Sequence, residues 1–109
     1  MVPKLRPPTH PGEMLREEFL IPLELSQAEA ARRLKMPLNR LNGLIKGKRG
    51  VTPDTALRLS ELLKTSAEFW LNLQGAWHLW HALERRKARG EVGSIRPLRT
   101  RIHARDVRF

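Results

Sequence analysis

Cysteine and tyrosine are absent from this 109-residue sequence. Without cysteine there is no disulfide scaffold, no thiolate zinc site and no thiol nucleophile, and a reducing compartment suits the chain. The aromatics are three Trp and three Phe, and valine is confined to Val2, Val51, Val92 and Val107. Nothing alternates with period two for long, so strand signals are missing and an all-α fold is expected. No apolar run approaches the roughly 18 residues of a membrane span. The N-terminal segment carries charge but lacks the apolar stretch of a secretory signal. The expectation is a soluble, cytoplasmic protein without membrane contact. Acid is scarce: 11 Asp and Glu stand against 21 Lys and Arg, a net charge of +10. Such a chain is drawn to polyanions.

The charge is unevenly spread. Residues 85–109 hold nine basic and two acidic side chains, whereas residues 1–84 hold twelve and nine. The C-terminal stretch also carries Gly90, Gly93 and Pro97 and has no sustained apolar period, the composition of a flexible arm. We therefore expect a folded domain over 9–88 and a basic tail over 89–109. Its arginines lack interleaved aromatics, so unselective phosphate affinity is the expectation there, ahead of an RNA- or membrane-binding arm.

Local punctuation cuts the domain into five helices. The first is expected from Pro11 or Gly12 to Leu20, with Met14, Leu15 and Phe19 on one face and Pro22 forcing a stop. Ser26-Gln27-Ala28-Glu29 reads as a capping box opening a second helix through Leu34, in which Glu29 reaches back to the cap. Pro37 suits the first turn of a third helix that ends before Gly47. Thr52-Pro53-Asp54 opens the fourth, with Ala56, Leu59, Leu62 and Leu63 recurring at three and four. The fifth begins at Thr65 or Ser66. Phe69, Leu73, Trp77, Trp80 and Glu84 line one side of it, broadened by Trp70 and Leu71, and all three tryptophans lie in this helix. That is more apolar surface than an 80-residue domain readily buries, so Leu73, Trp77 and Trp80 are the candidate interface with a second copy.

The second and third helices, about 26–46, have the layout of a helix-turn-helix. When the second helix of such a pair enters a major groove, its inner positions must be apolar and its outer ones short polar or basic. Leu41, Leu44 and Ile45 supply the first kind; Leu38, Asn39, Asn42, Gly43 and Lys46 fall on the opposite arc. Asn39 and Asn42 match the paired donor and acceptor of an adenine edge. Gly43, costly inside a helix, points to a close backbone approach by a base edge or methyl. The candidate base readers are Leu38, Asn39, Arg40, Asn42 and Gly43. Gln27 at a helix N-terminus, with Lys46, Lys48 and Arg49 after the third helix, are the candidate phosphate contacts.

His10-Pro11-Gly12-Glu13, Leu25-Ser26-Gln27, Asn39-Arg40-Leu41-Asn42, Gly47-Lys48-Arg49-Gly50-Val51-Thr52, Asp54-Thr55-Ala56-Leu57-Arg58-Leu59 and Glu68-Phe69-Trp70-Leu71-Asn72-Leu73-Gln74 occur in order between about residues 9 and 82. Together they resemble the HigA-type antitoxins, a branch of the lambda-repressor-like, XRE-type helix-turn-helix family found in bacterial toxin–antitoxin addiction modules. The resemblance implies a five-helix domain that dimerises, binds a palindromic operator in its own promoter and neutralises a RelE-like, ribosome-dependent mRNA endonuclease toxin. Gly43 stands where the family usually has a larger side chain, and Leu38 where an amide is common in the wider superfamily; both bear on which bases are read. The tail past Gly90 matches no part of the family pattern.

An enzyme is the first rival. His78, His81 and Glu84 recur at i, i+3 and i+6, but they alternate with Trp77 and Trp80 and read as surface or interface residues, with no metal or other cofactor expected. His10 is expected to cap or pack at the start of the first helix, and His103 lies in the tail. No nucleophile–base pair, phosphate loop or carboxylate dyad is present. The second rival is a stand-alone transcriptional regulator of the same DNA chemistry without a toxin, which the sequence does not separate from an antitoxin.

Overall fold

The computed structural model describes residues 7–99. Those residues contain five helices in sequence and no strand. α1 spans Pro11–Leu15 and continues without a break as a π-helical turn, Arg16–Leu20. His10 caps it as expected, its Nδ1 accepting from the Gly12 amide at 2.9 Å. The π register was not expected. Its i→i+5 repeat brings Leu20 back toward the side occupied by Leu15, and both are buried, where an α-helix would set them about 140° apart.

α2 spans Gln27–Leu34, and Ser26 Oγ accepts from the Glu29 amide at 3.1 Å. The returning half of the capping box is not made. The Glu29 carboxylate instead accepts from Arg32 Nε at 3.0 Å and Arg33 Nε at 2.8 Å. Two guanidinium partners one turn away outcompete a single backbone amide. Their hydrogen bonds, Arg32's first, hold the carboxyl down to about 2.

α3 spans Leu38–Ile45. Pro37 is its extended N-cap, with φ −62° and ψ 143°, rather than a member of the first turn. Lys35, with φ 58°, turns the chain between α2 and α3. α4 spans Pro53–Leu63 behind a Thr52 cap, and α5 spans Ala67–Ala88 behind a Ser66 cap.

The core gathers Leu15, Leu20, Leu34, Leu41, Leu44, Leu59 and Trp70 from all five helices. Trp70 is fully buried, its Nε1 donating to Thr65 Oγ1 at 2.7 Å and its ring packed against Phe19 and Phe69. α1 lies directly on α3. A Cβ at Gly12 would stand 1.8 Å from the Leu44 carbonyl oxygen, so only glycine permits this crossing. Beyond Ala88, residues 90–94 fold back on the end of α5, where Arg86 donates to the Glu91 carbonyl at 2.8 Å. Residues 95–99 are irregular and exposed; Arg101, His103, Arg105 and Arg108 lie outside the described residues.

Candidate nucleic-acid interface

α3 is divided along its length. Leu41 and Leu44 are buried and Ile45 packs half-buried on the core, whereas Leu38 and Asn39 are exposed and Asn42 and Gly43 half-exposed. Hydrophobic anchoring of one stripe thus fixes which side chains the other presents. At the end of α3, Gly47 takes a left-handed φ of 76°, where glycine pays no steric penalty. The Gly43 carbonyl then accepts from the Lys48 amide at 2.9 Å and the Arg49 amide at 3.2 Å. This winds the loop against the helix that precedes it. Lys46, Lys48 and Arg49 are all exposed there, adjoining the outer face of α3.

Gly43 has a nearer reason than a ligand. A Cβ there would come within 3.0 Å of Arg49 Cδ and 3.1 Å of its Nε, so the glycine makes room for the Arg49 stem. Arg40 also departs from expectation. Its Nη2 donates to Thr55 Oγ1 at 3.2 Å, which draws the guanidinium into the seam with α4 and away from the outward row. The buried Thr55 hydroxyl also receives a hydrogen bond from Thr52 Oγ1, so this polar cluster is internally satisfied. Gln27 sits half-buried at the first position of α2, beside the positive end of that helix.

Two supports had no signal in the residue pattern. Arg58, on α4, donates from Nη1 to the carbonyls of Leu34 at 3.0 Å and Lys35 at 2.6 Å, tying α4 to the turn between α2 and α3. Its Nε pairs with Asp54 at 2.9 Å. The amide of Val51, after the basic loop, donates to Gln74 Oε1 on α5 at 2.7 Å.

α5 uses its apolar residues in two ways. Leu73 packs on the protomer's own core. Trp77 is half-buried, with its ring 5.0 Å from His10 and 4.1 Å from His81, and Trp80 lies 5.2 Å from His81. Leu79 and Leu83, not singled out by the sequence pattern, are 71% and 41% exposed. His78 and His81 are engaged with Gln74 and with indole rings, and no cluster of metal-binding side chains occurs among the described residues. Burial, reinforced by His78 and opposed by Glu13, lowers the pKa of His10. No helix among the described residues is long and apolar enough to cross a membrane.

The helix-turn-helix family model matches residues 15–70, from α1 to the first turn of α5. The uncharacterized HTH-type transcriptional regulator YbaQ of Escherichia coli strain K12 is 36% identical over 103 residues, covering 94% of this chain and 91% of its own. The antitoxin HigA of Pseudomonas aeruginosa, solved with the higBA promoter, is 41% identical with a TM-score of 0.77, over 84% of this chain and 98% of its own. The antitoxin GraA in complex with its operator is 39% identical with a TM-score of 0.79, over 92% of this chain and 100% of its own. By their names these relatives are a transcriptional regulator and two antitoxins. The chain belongs to the XRE-type helix-turn-helix family, in the company of the HigA antitoxins, and shares their all-α fold.

Proposed function

We propose that this protein is a dimeric, sequence-specific DNA-binding antitoxin that represses its own operon and neutralises a RelE-like mRNA endonuclease. The observation that carries the DNA half is the split face of α3. Leu38, Asn39 and Asn42 stand outward over buried Leu41 and Leu44, with Lys46, Lys48 and Arg49 exposed beside them. Amide side chains there can read adenine edges while the flanking cations and the start of α2 at Gln27 neutralise phosphates. Arg40 holds α4 in place, and Gly43 seats Arg49, so both act on the interface from behind it. The relatives solved with a promoter and with an operator support this reading.

A second copy completes the binding unit. Trp80, Leu79 and Leu83 form an apolar face at three- and four-residue spacing on the outer half of α5, with the exposed part of Trp77 beside it and Leu73, partly buried on the protomer core, one turn before it. Pairing places two α3 helices on a palindrome with half-sites about one helical turn apart. Footprinting of the DNA upstream of the gene should show two protected half-sites at that spacing. Asn42→Ala should lose about 1–3 kcal/mol on the operator and little on scrambled DNA; equal losses on both would remove Asn42 from base reading.

The toxin half is tested by co-expression. A small adjacent open reading frame should arrest growth alone and be silenced by this chain. Rescue failure would leave a stand-alone regulator of the same DNA chemistry.

A further inference from the structure

Lys48 and Arg49 lie on a loop that rests on two side chains from elsewhere in the fold. On one side, a Cβ at Gly47 would meet the His10 ring at 4.0 Å. On the other, a Cβ at Gly50 would press to 2.8 Å from Gln74 Cδ and Oε1, so the loop lies flat on the Gln74 amide. Gln74 is buried, and its contact to the Val51 amide crosses 23 positions of sequence.

Hydrogen-bond direction fixes the arrangement. The Val51 N–H only donates, so the Gln74 oxygen must face it. Gln74 Nε2 is then left as a donor 2.8 Å from His78 Nε2, which must accept. Turning this amide would set Gln74 Nε2 against the Val51 N–H and leave that buried donor unpaired.

We propose that Gln74 is a positioning residue for DNA binding, pinning the basic loop through Val51, with His78 holding the Gln74 amide in the required orientation. The proposal rests on the DNA-binding reading for its consequence but not for the pin itself. A pinned loop presents Lys48 and Arg49 to phosphates in one geometry; a released loop must be ordered on binding, which weakens affinity for any sequence.

The test compares full-length Gln74→Met, similar in size but without the acceptor or donor, with Gln74→Glu, which retains an acceptor for Val51. Amide hydrogen exchange on the free protein reads the pin, and anisotropy titrations with operator and scrambled duplexes across salt read its consequence. Gln74→Met should speed exchange at Val51 by about tenfold or more while the amides of α2 and α3 stay protected. It should weaken both duplexes by about five- to tenfold with the salt slope unchanged, because the same phosphates are contacted once the loop is ordered. Gln74→Glu should keep Val51 protected and bind within about threefold of the parent. Should Gln74→Met fail to fold, His78→Leu provides the milder perturbation, with faster Val51 exchange and weaker binding than the parent expected. Unchanged Val51 exchange in folded Gln74→Met or His78→Leu, or a loosened loop that binds DNA as the parent does, overturns the proposal. Because exchange needs no DNA, a parent protein that binds no duplex would refute the DNA reading while the pin is judged separately.

Discussion

The two halves of α5 have similar aromatic content and opposite surroundings. Up to Gln74 the helix is built into the domain: Trp70 is fully buried, Phe69 and Leu73 pack on the core, and Gln74 bonds the Val51 backbone. From Gly75 onward it is mostly solvent-facing, with Trp77 leaning on His10 and His81 and with Leu79 and Leu83 exposed. A hydrophobic stripe reports that a face wants cover but not what covers it. The first half is covered by the protomer's own helices, and the second half is the surface that we assign to a second copy.

Tryptophan truncation in each half draws the sharpest contrast. Trp70→Ala should cost about 3–5 kcal/mol of folding stability, read by chemical denaturation, because it empties the centre of the core. Trp80→Ala should leave the protomer folded and weaken dimerisation by about 2 kcal/mol, roughly thirtyfold, in sedimentation equilibrium. A dimer indifferent to that change would dissolve the contrast.

Glycine gives a smaller test. Gly75 has no heavy atom within 4 Å of an added Cβ, so Gly75→Ala should raise folding stability by about 0.5–1 kcal/mol in urea melts. The opposite sign would mean that a neighbour crowds this point of α5. The smallest effect concerns the contact between α5 and the start of α1. Since burial lowers the His10 pKa below its ordinary 6.5, the unfolded chain takes up the proton more readily. The contribution of His10 to stability is therefore full above 6.5 and declines as pH falls below it. Thermal melts from pH 8 to 5 should show that decline, and His10→Asn, which retains a capping acceptor without titrating, should flatten it.

Much of the fold was legible because its boundaries are written in short-range chemistry. Ser26, Thr52 and Ser66 accept from the amides three residues on, and Gly47 takes the left-handed conformation that ends α3. The outward row of α3 followed from the same periodicity. What escaped depends on partners distant in sequence or on competition between equally plausible ones. Arg40 finds Thr55, Arg58 finds the turn at Leu34 and Lys35, and Gln74 finds Val51. Glu29 chooses two arginines over its own cap, and Pro37 stands one position outside the helix it introduces. A glycine inside α3 suggests room for DNA at Gly43, but its nearest neighbour is the Arg49 stem. Propensity and spacing place elements; they do not choose among polar partners.

The central claim is that α3 reads a specific sequence in the DNA upstream of this gene. Fluorescence anisotropy of that DNA and of a scrambled duplex, each titrated at two salt concentrations, tests it most directly. The account predicts a preference of about a thousandfold or more for the native duplex, with salt weakening both. Equal binding to both duplexes, abolished together by salt, would contradict it.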